Sequence, residues 1–140
     1  MTAFWSRVVA ALVRINPRAT VAADHVRLVF VRRGEPAARI GVRVRLLGEA
    51  LSIAADLGSI ESTDTIQALR LATALVEGEL VIDGDVLHVR SLVPIEDGAI
   101  ADLDRTLNLV ALQAAEMKFR LRRSHATAVH VASAMSHFSE

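Results

Sequence analysis

Residues 38–58 read "ARIGVRVRLLGEALSIAADLG", and their alternation decides the fold. Ile40, Val42, Val44 and Leu46 alternate with Arg39, Gly41, Arg43 and Arg45, the period of two that belongs to a strand buried on one face. After Gly48-Glu49 the alternation resumes in Leu51, Ile53, Ala55 and Leu57. Folding the chain at Gly48-Glu49 sets Leu46 against Leu51, Val44 against Ile53, Val42 against Ala55 and Ile40 against Leu57. One register thus gathers all these apolar side chains on one face, and a slip of one residue would turn them out to water. Gly48 suits the positive φ of a two-residue turn. Upstream, "HVRLVFVRR" (25–33) reads as an earlier strand joined through "GEPA" (34–37), so a three-stranded meander is expected.

Helical spacing flanks the meander. In "FWSRVVAALVRI" (4–15), Phe4, Val8, Ala11, Leu12 and Ile15 share one face and Pro17 stops the helix. A second helix begins near Ser62 or Thr63 as cap, holds Asp64 in its first turn and ends at Gly78. Ile66, Leu69, Ala72, Thr73 and Val76 form its expected buried stripe, widened by Leu75. "ELVIDGDVLHV" (79–89) then reads as a hairpin. With Gly84-Asp85 as its turn, Ile82 faces Leu87, Leu80 faces Val89, and Glu79 meets Arg90 on the opposite side as a charge pair. The neighbouring choice, Asp83-Gly84, opposes Ile82 to Asp85 and keeps the same residues inward. Asp83 and Asp85 are therefore turn residues, because a calcium-type loop would need further oxygen ligands at regular spacing.

From Ala99 to Glu140 the chain contains neither Gly nor Pro. Ile100, Leu103, Leu107, Val110, Ala114, Met117 and Leu121 recur at steps of three and four, and Ala128, Val131, Met135 and Phe138 extend the stripe. A single helix of that extent would be about 60 Å long, against a gyration radius of about 14 Å for a domain of this size. Either the helix bends near Arg123-Ser124-His125, or its apolar tail overhangs the domain. An overhanging stripe needs a partner, most simply a second copy. Leu107, Val110, Ala114, Met117, Leu121, Val131, Met135 and Phe138 are the expected dimer contact. The expected architecture is α+β, one domain over residues 1–140 with 124–140 as a helical extension, an antiparallel sheet and the order α-β-β-β-α-β-β-α.

Composition narrows the function. The chain of 140 residues is 52% hydrophobic and carries 16 basic and 16 acidic residues, so no global field steers it toward nucleic acid or an anionic membrane. One Trp, four Phe and no Tyr leave few platforms for base stacking. Cysteine is absent, which removes disulfides and thiolate chemistry and accords with the cytoplasm. The 4–15 segment is too short for a membrane span and carries Arg7 and Arg14, and the Met-Thr-Ala start lacks the basic region of a signal peptide. Among the histidines, His125, His130 and His137 miss the four-residue spacing that joins two metal ligands on a helix. His88 and His25 read as ordinary strand residues, His88 facing solvent. No nucleophile elbow, Walker loop or dinucleotide glycine loop is present. No catalytic residue, cofactor or metal site is expected.

The element order resembles the type III secretion chaperone fold and the YbjN-domain proteins that share it. The stretch "LRLATALVEGELVIDGDVLHVRSLVPIEDGAIADLDRTLNLVALQAAEMKFRLRR" (69–123) is similar to the YbjN pattern. There a helix meets a hairpin with an acidic-glycine turn, a strand closes on "VPI", and an acidic-glycine step opens a long helix. The resemblance covers most of residues 20–123 and implies a non-enzymatic, cytoplasmic, homodimeric, chaperone-like protein that holds a client segment. The balanced charge and scarce aromatics differ from the family's pattern, and the resemblance assigns no binding residue. The residues themselves point to one polar surface: Arg39, Arg43 and Arg45 align on the outer face of the meander, and Arg27 joins them. Long arginine stems covering a sheet are the plain reading of such a row. An anionic partner is the sharper one, and a nucleic-acid-binding regulator working through this arginine face is the alternative function.

Overall fold

The computed structural model describes residues 3–32, 38–61 and 63–138, with side chains as far as Leu121 apart from those of residues 32, 38 and 97. Helix α1 (Ala3–Ile15) leads into β1 (Thr20–Val21), β2 (His25–Arg32), β3 (Ala38–Leu47) and β4 (Ala50–Ser59). Helix α2 (Thr65–Ala72) follows, then β5 (Glu79–Asp83), β6 (Val86–Pro94), α3 (Asp97–Ala101) and α4 (Leu103–Phe138). The class is α+β, with six antiparallel strands in the spatial order β1-β2-β3-β4-β6-β5. Two short elements, β1 and α3, add to the expected order. The "GEPA" link lies outside the described residues.

The β3–β4 hairpin pairs Leu46 with Leu51, Val44 with Ile53 and Val42 with Ala55, as its alternation requires. Gly48 has φ 60 and no non-glycine residue among those described has positive φ, so glycine holds the first central position, as in a type II′ turn. The same chemistry selects the second hairpin. Gly84 has φ 63, Asp83 pairs with Val86, and Glu79 pairs with Arg90. Gly84-Asp85 is the turn, and the two aspartates flank its glycine. The ladder ends at Val42↔Ala55, and the expected Ile40–Leu57 pairing is not part of it. There β4 follows β6 instead, through an irregularity between Asp56 and Gly58.

The inward faces of the strands and the buried sides of the helices form one apolar cluster. Val26, Leu28, Ile40, Val42, Val44, Leu51, Ile53, Leu87 and Val89 come from the sheet. From α1 come Val8, Ala11 and Leu12, together with Trp5, which the spacing argument left out, while Phe4 and Ile15 pack only partly. α4 runs as one helix through Arg123-Ser124-His125 and packs across β4, β3, β6 and β2. Leu107, Val110, Ala114, Met117 and Leu121 are buried there by the chain's own sheet. That corrects the dimer reading of these five residues: a seam already covered by its own sheet is not free to meet a second copy. Val131, Met135 and Phe138 lie beyond the described side chains.

The expected stripe of α2 is corrected too. Asp64 is the cap itself, its Oδ1 accepting from the Gln67 backbone N–H at 3.1 Å. The helix ends at Thr73, several residues before Gly78. Only Ala68 is fully buried, with Leu71, Ala72 and Leu75 partly covered, whereas Ile66, Leu69 and Val76 are exposed. Ile82, expected inward, is also exposed because β5 is the edge strand. No helix among the described residues is long and apolar enough to cross a membrane.

Candidate functional site

Strand alternation sends the arginines away from the core. Arg27 on β2 pairs directly with Arg43 on β3, His25 pairs with Arg45, and Arg39 lies opposite Val31. Arg27, Arg39 and Arg43 are exposed, as are Val29, Val31 and Leu92 on the same face. Arg27, Arg43 and Arg45 therefore form one patch, while Arg39 stands apart toward the end of β3, beyond Gly41. Like charges in directly opposed positions destabilise a sheet by a few tenths of a kcal/mol to about 1 kcal/mol. The side chains of these four arginines make no ion pair or hydrogen bond among the described residues.

Ladder register carries the patch onto strands distant in sequence. Ala54 of β4 is flanked by Arg43 of β3 and by Arg90 of β6, and Arg90 in turn pairs with Glu79 of β5. One row across the sheet therefore reads Arg27, Arg43, Ala54, Arg90, Glu79. The Arg90 Nη2–Glu79 Oε1 contact is long at 3.5 Å, and Arg90 Nε is buried with no hydrogen-bond partner. Above Ala54 lies a hollow of about 30 Å³ lined by Arg43, Arg45, Arg90, His88, Val81 and Asp83.

In the next row, Asp56 pairs with His88, and His88 with Val81. His88 is not the solvent-facing residue expected: its side chain is 15% exposed, with Nδ1 2.8 Å from Asp56 Oδ1. The two groups lie at contact distance, with that nitrogen poorly aligned toward the carboxylate. Asp56 leans over Gly41, where an added Cβ would sit 3.8 Å from its Oδ2. His88 as neighbouring donor is the chief cause holding the Asp56 carboxyl below its ordinary 3.8; burial opposes this, and the charges of His88, Arg43 and Arg27 add to it. Because the folded value is the lower one, the pair's contribution to stability is present above about pH 3.8 and is lost as pH falls through the folded value. Asp56 and His88 are too few for a metal site, and no cluster of His, Cys, Asp and Glu fit to hold a metal occurs among the described residues.

A second surface is apolar. Leu71, Ala74 and Leu75 from α2 and its following loop, with Leu112, Gln113, Glu116, Met117 and Arg120 from α4, line a groove of about 380 Å³. Gln113 holds the loop in place. Its Oε1 accepts from the backbone N–H groups of Val76 (2.7 Å) and Glu77 (3.2 Å), and its Nε2 donates to the Glu77 carbonyl (2.7 Å). Ser91 Oγ donates to Glu77 Oε1, tying the same loop to β6.

Sequence spacing located Arg27, Arg43 and Arg45 but missed Arg90, His88, Asp56 and Ala54. Their membership depends on β4 lying beside β6, a pairing across α2 that no local pattern announces. No protein-family model, no curated protein and no solved structure matches the chain.

Proposed function

We propose that the chain is a non-enzymatic, homodimeric, chaperone-like module that holds an extended acidic segment of a client protein on the open face of its sheet. The observation that carries this reading is the in-register opposition of Arg27 and Arg43, two cations on an exposed face without an ion-pair partner among the described residues. A sheet built only for stability gains from a carboxylate at one of those positions. An anionic partner relieves the repulsion and converts it into charge-assisted hydrogen bonds. Nucleic acid is the less favoured occupant. Phe30 turns inward to the core, and the face offers Val29, Val31, Val81 and Leu92 where base stacking asks for aromatic rings. The absence of cysteine suits a cytoplasmic setting.

Dimerisation falls to the distal part of α4, which runs about 25 Å past Leu121 at the helical rise. Sedimentation at micromolar concentration should give twice the chain mass, falling to one chain mass on truncation after Arg123. A monomer in both forms refutes the dimer. For the client, fluorescence anisotropy with a glutamate-rich peptide should show binding by the native chain and none by Arg43→Glu/Arg45→Glu. Undiminished binding by that variant refutes the role of this face.

A further inference from the structure

The hollow over Ala54 has properties that a merely solvated arginine row lacks. Three arginines, Arg43, Arg45 and Arg90, line it from two strands on either side of Ala54. One carboxylate, Asp83, lines it with them, while Asp56, just outside, is engaged with His88. The lining therefore keeps an excess of positive charge. Arg90 Nε, a donor buried without an acceptor, belongs to one of these lining groups. The hollow is small, about 30 Å³, and its polar lining suits a compact anionic group.

Resting on the client-binding reading above, we infer that this hollow is a carboxylate subsite, formed by Arg43, Arg45 and Arg90 over Ala54, that selects client segments with acidic residues two apart. The spacing follows from strand geometry. Arg43 and Arg45 are two residues apart on β3, about 6.6 Å at the strand rise, and side chains on one face of an extended peptide repeat at the same interval. A segment lying along β3 thus sets one acidic side chain over Ala54, between Arg43 and Arg90, and its next-but-one neighbour beside Arg45 in the next row of the same hollow. Guanidinium and carboxylate meet there in the forked geometry both groups favour.

The test uses two labelled peptides of equal length and composition, one with glutamates at alternate positions and one with the same glutamates in a block, and a single-stranded DNA of equal charge. The native chain should bind the alternating peptide about tenfold more tightly than the block peptide, a difference near 1.4 kcal/mol. Ala54→Val fills the hollow while leaving every charge in place, and should reduce the alternating peptide to the affinity of the block. Arg90→Gln should do the same, and it guards against a misfolded Ala54→Val, which circular dichroism and the thermal midpoint would reveal. Unchanged peptide preference in both variants overturns the subsite; if binding is still lost in Arg43→Glu/Arg45→Glu, the client reading stands without it. Equal binding of the two peptides by the native chain also overturns the subsite. Tighter binding of the DNA replaces the carboxylate by a phosphate and overturns both readings, as does failure of both peptides to bind.

Discussion

α2 and α4 carry apolar stripes of the same helical spacing, and the structure treats them in opposite ways. The α4 stripe that spacing offers to a second copy is buried by the chain's own sheet, with Leu107, Val110 and Ala114 wholly covered. Of the α2 stripe that spacing assigns to the core, Ala72 and Leu75 pack partly against it, while Ile66 at 67%, Leu69 at 58% and Val76 at 85% exposure stand in solvent. A hydrophobic period shows that a helix has an apolar side; it does not show what covers that side. Position decides. α4 lies across the four central strands and finds apolar side chains as far as Leu121. α2 has eight residues, sits beside the edge strand β5 and α4, and offers two overlapping stripes. Ala68, Leu71, Ala72 and Leu75 form the alternative set, also at steps of three and four, and it is the set turned inward.

The sharpest way to break this comparison is to cut the covered stripe. Leu107→Ala removes a fully buried side chain at the centre of the sheet–helix layer, and should cost about 2–5 kcal/mol in urea unfolding of the chain. A loss below about 1 kcal/mol would mean that α4 is not held on the sheet as described. The loss should not vary with protein concentration, since the sheet and not a partner covers Leu107.

A smaller effect is expected where the two helices are joined. Gln113 makes three hydrogen bonds to the loop after α2, and these orient Leu75 and the groove between the helices. Gln113→Ala should cost about 1–3 kcal/mol, since backbone groups of Val76 and Glu77 lose their partner. Amide hydrogen exchange should quicken at Val76 and Glu77 before it does in the β3–β4 hairpin. Equal protection in the variant would show that the loop is held by other contacts.

These differences mark where local pattern suffices. The β3–β4 hairpin was legible because the alternation of Ile40 to Leu46 and Leu51 to Ile53 leaves one register with a dry face, and Gly48 supplies the turn. The Gly84-Asp85 turn was legible for the same reason, down to the Glu79–Arg90 pair. Half of the arginine patch could be read because Arg27, Arg43 and Arg45 belong to consecutive strands. The other half was hidden, since Arg90 and His88 join it through the β4–β6 ladder, where their partners Ala54 and Asp56 lie more than thirty residues away. Burial of His88 was hidden with it, because an imidazole between polar strand positions looks solvent-facing until Asp56 is placed beside it. The α2 error has a different origin: a helix that stops at Thr73 removes Val76 from the helical period on which the stripe was drawn.

The smallest effect belongs to the exposed stripe and tests the comparison from its other side. Ile66 and Leu69 contribute little burial in the single chain, so Ile66→Ala/Leu69→Ala should change stability by no more than about 0.5 kcal/mol per site. Alanine also has the better helix propensity, which offsets part of any loss. The measurement should be repeated over a hundredfold range of protein concentration. A small, concentration-independent change leaves α2 as a free surface. A loss of 2 kcal/mol or more that grows with concentration would place Ile66 and Leu69 under a second copy, because a contact between chains weakens by mass action on dilution whereas an intrachain one does not. The two helices would then have exchanged the roles their spacing suggested, α4 serving the core and α2 the interface.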